Sequence, residues 1–318
     1  MIELLNSALI AWDAPEFSAL PQGASPQSAA ATAVLDGEWL LHGGFNGISM
    51  LSTSGILSVS RFDLSTRQWK AAVSVPKISR RRSHKGFVHN GSLHVAGGIS
   101  ESAVTKDVWR ISLTNQNDTV QVATDPITRS APPACEYYDG KLYVTGGINT
   151  AGATALDVYD FASNTWSSKA GKMPVGFAYG MSARNGSKLY FGLGHDYSVG
   201  GLSNKLYEYD TVTDTVTRLP DLPGAGIREC GITVANDCLW IFGGRQQTSG
   251  ISGTNTLYKL DLTQPTLVWE TVENIGSLLL WQNNLCADNG KLYNFSGVVQ
   301  PNGGSATTSL GAWVRSAI

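Results

Sequence analysis

The chain has 318 residues and a formal net charge of −2, and only 15% of its residues are charged, which is low for a soluble domain. It lacks the broad basic surface that nucleic-acid binding requires and any apolar run near the roughly 18 residues of a membrane-spanning helix. Neither nucleic acid nor a membrane is therefore an expected partner.

The first residues, Met1-Ile2-Glu3, lack the basic and apolar regions of a secretory signal. We expect a cytoplasmic protein if the chain is complete and a secreted one if a signal has been removed, so the location stays open. The four cysteines show no C-x-x-C spacing, which predicts buried thiols and neither a metal nor a disulfide framework. They are Cys135, Cys230, Cys238 and Cys286.

One phrase recurs six times along the chain, an apolar strand that ends in glycine. The copies are Trp39–Gly44, Leu93–Gly98, Leu142–Gly147, Leu189–Gly194, Leu239–Gly244 and Leu292–Gly297. Their last glycines lie 47 to 54 positions apart, and a repeat of about 50 residues is typical of kelch proteins. Because the copies agree in phase, the repeat is a strong signal, whereas one glycine pair would mean little.

The residues on either side of each copy follow the same plan. Dipeptides such as Asn90-Gly91 and Asp139-Gly140 precede the strand, and they tolerate the positive φ angles that close a two-strand hairpin. An aromatic or apolar residue followed by Asp comes after it, often with a Trp a few positions later, as in Tyr159-Asp160 and Trp166. The chain resembles the kelch family over essentially its whole length.

This resemblance implies an all-β fold, a six-bladed kelch-type β-propeller that forms a single domain over residues 1–318. The predicted blades are 22–76, 77–126, 127–174, 175–222, 223–273 and 274–318 with 1–21. Only one strand follows Gly297, so the last blade lacks a fourth strand. The N-terminal segment repeats the Trp and Leu-Pro of other units, so residues 4–13 are predicted to complete that blade and to remove its exposed edge.

In a propeller the first strand of each blade lines the central channel, and variable loops at one face usually carry function. Counting back from each glycine-ended strand places one residue of each blade at the start of its first strand. This ring is Ser28, Arg82, Ala131, Phe177 or Ala178, Arg228 and Trp281. The next inward positions include His84 and Asn283. Close by lie Glu136, Tyr137, Tyr179, Glu229, Gln282 and Asn284.

The loops after the glycine-ended strands add His195, Tyr197 and Arg245 to this rim. In blade 1 the loop is long, roughly residues 45–57, and Met50 lies among its apolar residues. Such a loop can act as a lid or pack on its own blade. Arg82 and Arg228 can equally form structural salt bridges with glutamates around the channel.

The favoured hypothesis is an enzyme that needs no cofactor and binds a small-molecule substrate at the channel mouth. Some propellers that resemble this chain assist cyclisations of the hetero-Diels–Alder type in fungal biosynthesis, where holding two reacting ends together supplies much of the rate. Arg82, His84, Arg228 and Tyr137 would then be the catalytic donors. The substrate-binding set would be Trp281, Phe177, Tyr179, Glu136, His195, Tyr197, Arg245, Asn283 and Met50.

Two alternatives stay open. Kelch propellers commonly recognise peptides on the same face, with arginine pairs that bind acidic motifs, so a peptide partner is possible. Other kelch-like proteins are sugar mutarotases, whose sites should be richer in charged groups. No metal is expected, because the E-x3-D-x3-H run of iron-binding kelch-like specifier proteins is absent, and the copper site of galactose oxidase belongs to a seven-bladed relative.

Overall fold

The structure is a computed structural model that describes residues 29–44, 56–100, 103–129, 131–147, 154–246, 253–274, 278–301 and 307–316. The strands of the first two blades are β1 Ala31–Leu35, β2 Glu38–His42, β3 Ser58–Asp63, β4 Gln68–Ser74, β5 Arg81–Arg82, β6 Lys85–His89, β7 Ser92–Ala96, β8 Ile99–Ser100, β9 Asp107–Ile111 and β10 Val120–Thr124. A short 3-10 helix, Gln116–Asp118, precedes β10.

The next two blades contain β11 Ala134–Tyr138, β12 Lys141–Thr145, β13 Leu156–Asp160, β14 Thr165–Lys169, β15 Phe177–Ala178, β16 Met181–Asn185, β17 Lys188–Gly192, β18 His195–Asp196, β19 Gly201–Leu202, β20 Leu206–Asp210 and β21 Thr215–Arg218. The remaining strands are β22 Gly231–Ala235, β23 Cys238–Phe242, β24 Thr256–Asp261, β25 Trp269–Asn274, β26 Leu278–Trp281, β27 Asn284–Asp288, β28 Lys291–Pro301 and β29 Thr307–Ser316.

These strands form a ring of antiparallel sheets. Five sheets have four main strands each, β1 to β4, β6-β7-β9-β10, β11 to β14, β16-β17-β20-β21 and β22 to β25, and in the sixth β28 pairs with β26, β27 and β29. The inner strands β1, β6, β11, β16, β22 and β27 each contact the next, and β27 contacts β1. The prediction of an all-β propeller is therefore confirmed. The blade boundaries and the closure by residues 4–13 stay predictions, because residues 1–28 lie outside the described ranges.

The second strand of each blade is apolar because neighbouring blades cover both of its faces. All five residues of β2 and of β23 are buried. The core lies between blades: Phe87 and Ala96 of blade 2 pack with Val144 of blade 3 in one hydrophobic cluster. For that reason these strands lack the alternation of apolar and polar residues that a strand with one exposed face shows.

The hairpin turns follow the sequence with one variation. Asn90 and Gly91 have φ of 47° and 66°, as a turn of type I′ requires. In blade 4 the pairing of Asn185 with Lys188 moves the two-residue turn to Gly186-Ser187, where only Gly186 has positive φ, 56°. The predicted hairpin is present, but its turn begins one residue later than in the other blades.

The glycine pairs let adjacent blades approach closely. A Cβ on Gly146 (φ +77°) would lie 2.1 Å from the carbonyl oxygen of Phe177 in the next blade, whereas a Cβ on Gly140 (φ +71°) would have no atom within 4 Å. We expect Gly140→Ala to cost about 1 kcal/mol from backbone strain alone. Gly146→Ala should cost about 1–3 kcal/mol more because blades 3 and 4 must separate.

Urea denaturation of both variants checks this expectation. Because the two glycines share nearly the same φ, the difference between the variants measures the steric contact between blades. Equal losses of stability in Gly140→Ala and Gly146→Ala would contradict close approach at the glycine pair.

Candidate functional site at the channel mouth

A ring of residues with left-handed backbone surrounds one end of the channel. Ala29, Ser83, Tyr179, Glu229 and Gln282 have φ between 51° and 58°, at 53°, 53°, 52°, 57° and 55° respectively. Each precedes the first strand of its blade, and Pro132 lies at this position in blade 3. Bulky residues in this conformation are strained, and such strain is concentrated at functional sites.

Main-chain hydrogen bonds connect this ring from blade to blade. The Ser83 amide donates to the Ala29 carbonyl at 2.8 Å, the Ala29 amide to the Gln282 carbonyl at 3.0 Å, and the Gln282 amide to the Glu229 carbonyl at 2.7 Å. The Tyr179 amide likewise donates to the Pro132 carbonyl at 3.0 Å. Pro132 has no N–H, so it cannot donate the equivalent hydrogen bond to the Ser83 carbonyl. The ring therefore fixes the side chains around the mouth through the backbone.

The ring lines a cavity of about 160 Å³. Lys85 and Ser182 reach it from deeper in the channel. The Lys85 ammonium lies 2.7 Å from a carboxylate oxygen of Glu136 and 3.5 Å from the Ser182 hydroxyl. The Ser182 hydroxyl donates to the Cys135 carbonyl at 2.5 Å. The lining thus combines a carboxylate, an ammonium, a phenol, an amide and hydroxyls, which can exchange protons and hydrogen bonds with a polar ligand.

Two arginines lie just outside the cavity lining, between blades 4 and 5, and contact the lining residues Tyr179 and Glu229. The guanidinium of Arg228 lies 5.3 Å from the centre of the Tyr179 ring, within the range of a cation–π contact. Arg245 lies 3.5 Å from the Glu229 carboxylate. The backbones of Arg228 and Arg245 exchange two hydrogen bonds, of 3.0 and 2.8 Å. Arg228, Arg245, Glu229 and Tyr179 therefore form one connected group.

His195 and Tyr197 lie beside this group. His195 pairs with Ala178 across β18 and β15, and its ring centre is 5.2 Å from that of Tyr197. Asp196 points the other way, and its buried carboxylate accepts hydrogen bonds from Ser198 and Lys205. Burial raises the pKa of Asp196, but these hydrogen bonds outweigh it and hold the pKa below its usual range.

His84 belongs to the cavity lining, but its ring lies between blades 1 and 2 against His42. Its Nε2 lies 2.8 Å from Nδ1 of His42, and its ring is so close to Gly43 that a Cβ there would be 2.8 Å from it. Burial, together with the charge of Arg81, lowers the pKa of His42 to about 3 and that of His84 well below 6.5. We therefore assign His84 to the packing of the blades.

Several predicted site residues lie away from the cavity. Phe177 and Trp281 are 1% and 3% exposed and belong to the core. Asn283 bridges the Phe242 carbonyl at 3.2 Å and the Asn294 amide oxygen at 2.7 Å. Arg82 pairs through its backbone with Ile99 and is outside the cavity lining. Met50 lies outside the described residues.

Tyr137 lies toward the opposite end of the channel. Its hydroxyl is 2.6 Å from Nδ1 of His89 and accepts from the Gly140 amide at 3.1 Å, so it helps to hold a hairpin. Tyr137 and the mouth arginines therefore do not meet in one site. Of the predicted residues, His84 and Tyr179 line the cavity. Arg228 and Arg245 lie outside the lining and contact it through Tyr179 and Glu229, His195 and Tyr197 lie beside them, and Glu136 contacts the lining residue Lys85.

Sequence counting missed Ser83, Lys85 and Ser182 and placed Glu229 and Gln282 only nearby. The strict alternation of side chains in a strand assumes extended backbone, whereas the left-handed residue rotates the chain just before each first strand. A bulky polar residue directly after the counted ring position, as in Arg228-Glu229 and Trp281-Gln282, was the available signal.

The described ranges contain no group of three His, Cys, Asp or Glu side chains that could hold a metal ion. All four cysteines are buried and free, and burial raises the pKa of Cys135 and of Cys230 to about 12. In the part of the chain that the structure describes, no helical segment has the length and apolarity needed to span a bilayer.

No protein-family model matches the chain. Part of it is similar to Kelch-like protein 35 of Mus musculus, with 26% identity over 184 residues, 57% of this chain and 30% of that protein. Kelch-like protein 41b of Danio rerio is 25% identical over 158 residues, 49% of this chain and 24% of that protein. The matched region thus spans less than a third of either relative.

A solved structure described as "Structure of YjhT" superposes with a TM-score of 0.72 at 17% identity, covering 92% of this chain and 96% of that one. At this identity the likeness shows the fold alone. Together, the two relatives and this structure confirm the predicted kelch-type fold.

Proposed function

We propose that this kelch-repeat β-propeller binds a small polar organic molecule at its channel mouth and isomerises it by proton transfer with its own side chains. The observation that carries the proposal is the Glu229 carboxylate, which is 8% exposed and lines the cavity together with Tyr179, Gln282 and Lys85. A carboxylate that can take up a proton and a phenol or ammonium that can give one are the groups that such a reaction needs.

Opening and closing the ring of a sugar is a reaction of this kind. One group removes a proton from a hydroxyl while another protonates the ring oxygen, and neither step requires an apolar pocket. Arg245 beside Glu229 and Arg228 beside Tyr179 suit a substrate that also carries a carboxylate. These charges favour the mutarotase alternative over the cyclisation that the sequence suggested first.

The cyclisation hypothesis has less support from the described residues. Among its predicted substrate-binding residues, Phe177 and Trp281 belong to the core, Met50 lies outside the described ranges, and Tyr179 lines the cavity. It stays a hypothesis that the same ligand panel tests.

Peptide recognition is the second candidate. The backbone pairing of Arg228 with Arg245 places two guanidinium-bearing residues side by side, and arginine pairs suit acidic side chains. Such a partner would use the rim and leave Glu229 without a chemical role, which separates the two candidates experimentally.

The test is a ligand panel followed by a rate measurement. Thermal shifts are recorded with sialic acid and related sugar acids, an acidic peptide, and polycyclic phenols, since a ligand raises the melting temperature according to its occupancy. Anomer exchange of any sugar that binds is then followed by NMR. We expect Glu229→Gln to lower the exchange rate by about 100-fold or more and to change affinity by less than tenfold.

The control is Glu270→Gln, which removes an exposed carboxylate on the outer strand β25 and should leave both quantities unchanged. A shift with the acidic peptide alone would replace the enzyme proposal by peptide recognition. A shift with phenols alone would favour cyclisation. Wild-type exchange in Glu229→Gln would remove the proposed role of this residue.

A further inference from the structure

The channel has a second cavity at its opposite end, beside the hairpin turns. Its volume is about 340 Å³, compared with about 160 Å³ at the mouth. The inner strands β1, β6, β11, β16, β22 and β27 all contribute to its wall. Lys85 and Ser182 line both cavities, so the two ends meet at the level of the Lys85–Glu136 ion pair.

The charged residues of this lining are Lys85, Glu136 and Arg184. The Glu136 carboxylate is 2.7 Å from the Lys85 ammonium, so these two charges compensate each other. The Arg184 guanidinium lies 5.7 Å from the centre of the Tyr138 ring, and no carboxylate forms an ion pair with it among the described residues. The lining of this cavity therefore has a net charge of +1, which Arg184 carries.

Arg184 is exposed and belongs to the cavity lining. Residues two apart on a strand share a face, so Arg184 and Ser182 of β16 point the same way, and the Ser182 hydroxyl is 3.5 Å from the Lys85 ammonium. Arg184 is then roughly 7 Å further toward the hairpin end, at two residues of strand rise. Two cations and the hydroxyls of Ser182 and Thr233 thus border one space.

We infer that this hairpin-end cavity is a second binding site, and that it takes a small organic monocarboxylate. The planar guanidinium of Arg184 matches a carboxylate with two parallel hydrogen bonds, and the Lys85 ammonium and the Thr233 hydroxyl provide further donors. Its volume lies at the lower end of the range for small-molecule pockets, which excludes a peptide. Asp139 and Asp237 lie in neighbouring turns, outside the lining, and disfavour ligands of higher negative charge.

This site shares Lys85 and Ser182 with the mouth, and Arg184 distinguishes the two. It is formed by inner-strand residues alone, and Arg184 is absent from the mouth lining. Lys85 belongs to both, so Lys85→Met should weaken ligands at both ends, whereas Arg184→Gln should weaken only the hairpin-end ligand.

The experiment titrates the full-length protein with propionate and with its neutral isostere propionamide, using saturation-transfer NMR. We expect propionate to bind, propionamide to bind at least tenfold more weakly, and Arg184→Gln to weaken propionate at least tenfold. Lys188→Gln removes a positive charge near the same hairpin but outside the lining, where Lys188 pairs with Glu208 at 2.8 Å, and should change propionate affinity by less than twofold.

Undiminished propionate binding in Arg184→Gln would overturn the inference, as would equal losses in Lys188→Gln. If Arg228→Gln lost propionate binding while Arg184→Gln kept it, the anion would bind at the mouth. That outcome would also overturn the inference. Failure of the sugar-acid panel at the mouth leaves these outcomes unchanged, so the two proposals fail separately.

Discussion

Replacing Arg129 with methionine should destabilise the propeller by about 3–5 kcal/mol. The Arg129 guanidinium contacts a carboxylate oxygen of Asp125 and one of Asp157, each at 2.7 Å, and donates to the Gly146 carbonyl at 2.7 Å. All three side chains are at least nine-tenths buried, with exposures of 3%, 9% and 3%. Methionine fills the space but leaves two buried carboxylates without their cation.

Urea denaturation at neutral pH measures this loss. Arg81→Met is the informative comparison, because Arg81 binds Asp107 through two hydrogen bonds, of 2.6 and 2.9 Å, in the equivalent place in blade 2. Arg81→Met leaves one carboxylate without its cation rather than two, so the loss of stability should be smaller. Arg218→Met, at an exposed pair with Asp221, should leave stability nearly unchanged. Similar losses in Arg129→Met and Arg218→Met would contradict the buried-network interpretation.

Acid should destabilise the protein well above the pH at which its carboxylates titrate. Burial lowers the pKa of His42 to about 3 and that of His84 well below 6.5. Between pH 6.5 and about 3, the unfolded chain therefore binds protons that the native pair excludes. The stabilisation is complete above pH 6.5 and falls as the pH drops, by up to about 1.4 kcal/mol per pH unit for each histidine.

At pH 5 His42 alone should therefore have lost about 2 kcal/mol of stability, and His84 acts in the same direction. Urea denaturation between pH 7.5 and 5 gives the slope, and the double variant His42→Gln, His84→Gln should flatten it. Burial also lowers the pKa of His94, to about 4, so part of the slope remains in the double variant. His89→Gln, at a half-buried hairpin position, should change the slope less. An unchanged slope in the double variant would refute a neutral buried pair.

Much of the mouth chemistry depends on residues that are distant in sequence. Lys85 and Glu136 are 51 positions apart, and Glu229 and Arg245 are brought together from two segments of blade 5. The Lys85–Glu136 pair forms only when blades 2 and 3 pack side by side, because each blade contributes one inner strand. Repeat spacing predicts that these strands meet, but it does not predict which side chains face the channel.

The amino-acid sequence by itself determined the repeat, the apolar second strands and most hairpins. Each of these depends on local chemistry: turn dipeptides such as Asn90-Gly91 tolerate positive φ, and burial on both faces selects continuous apolar runs such as Trp39–Leu41. Only the tertiary structure decided which polar side chains point toward the channel. The left-handed residue before each first strand breaks the period of two, so Glu229 reaches the cavity, and close packing against Gly43 turns His84 toward His42.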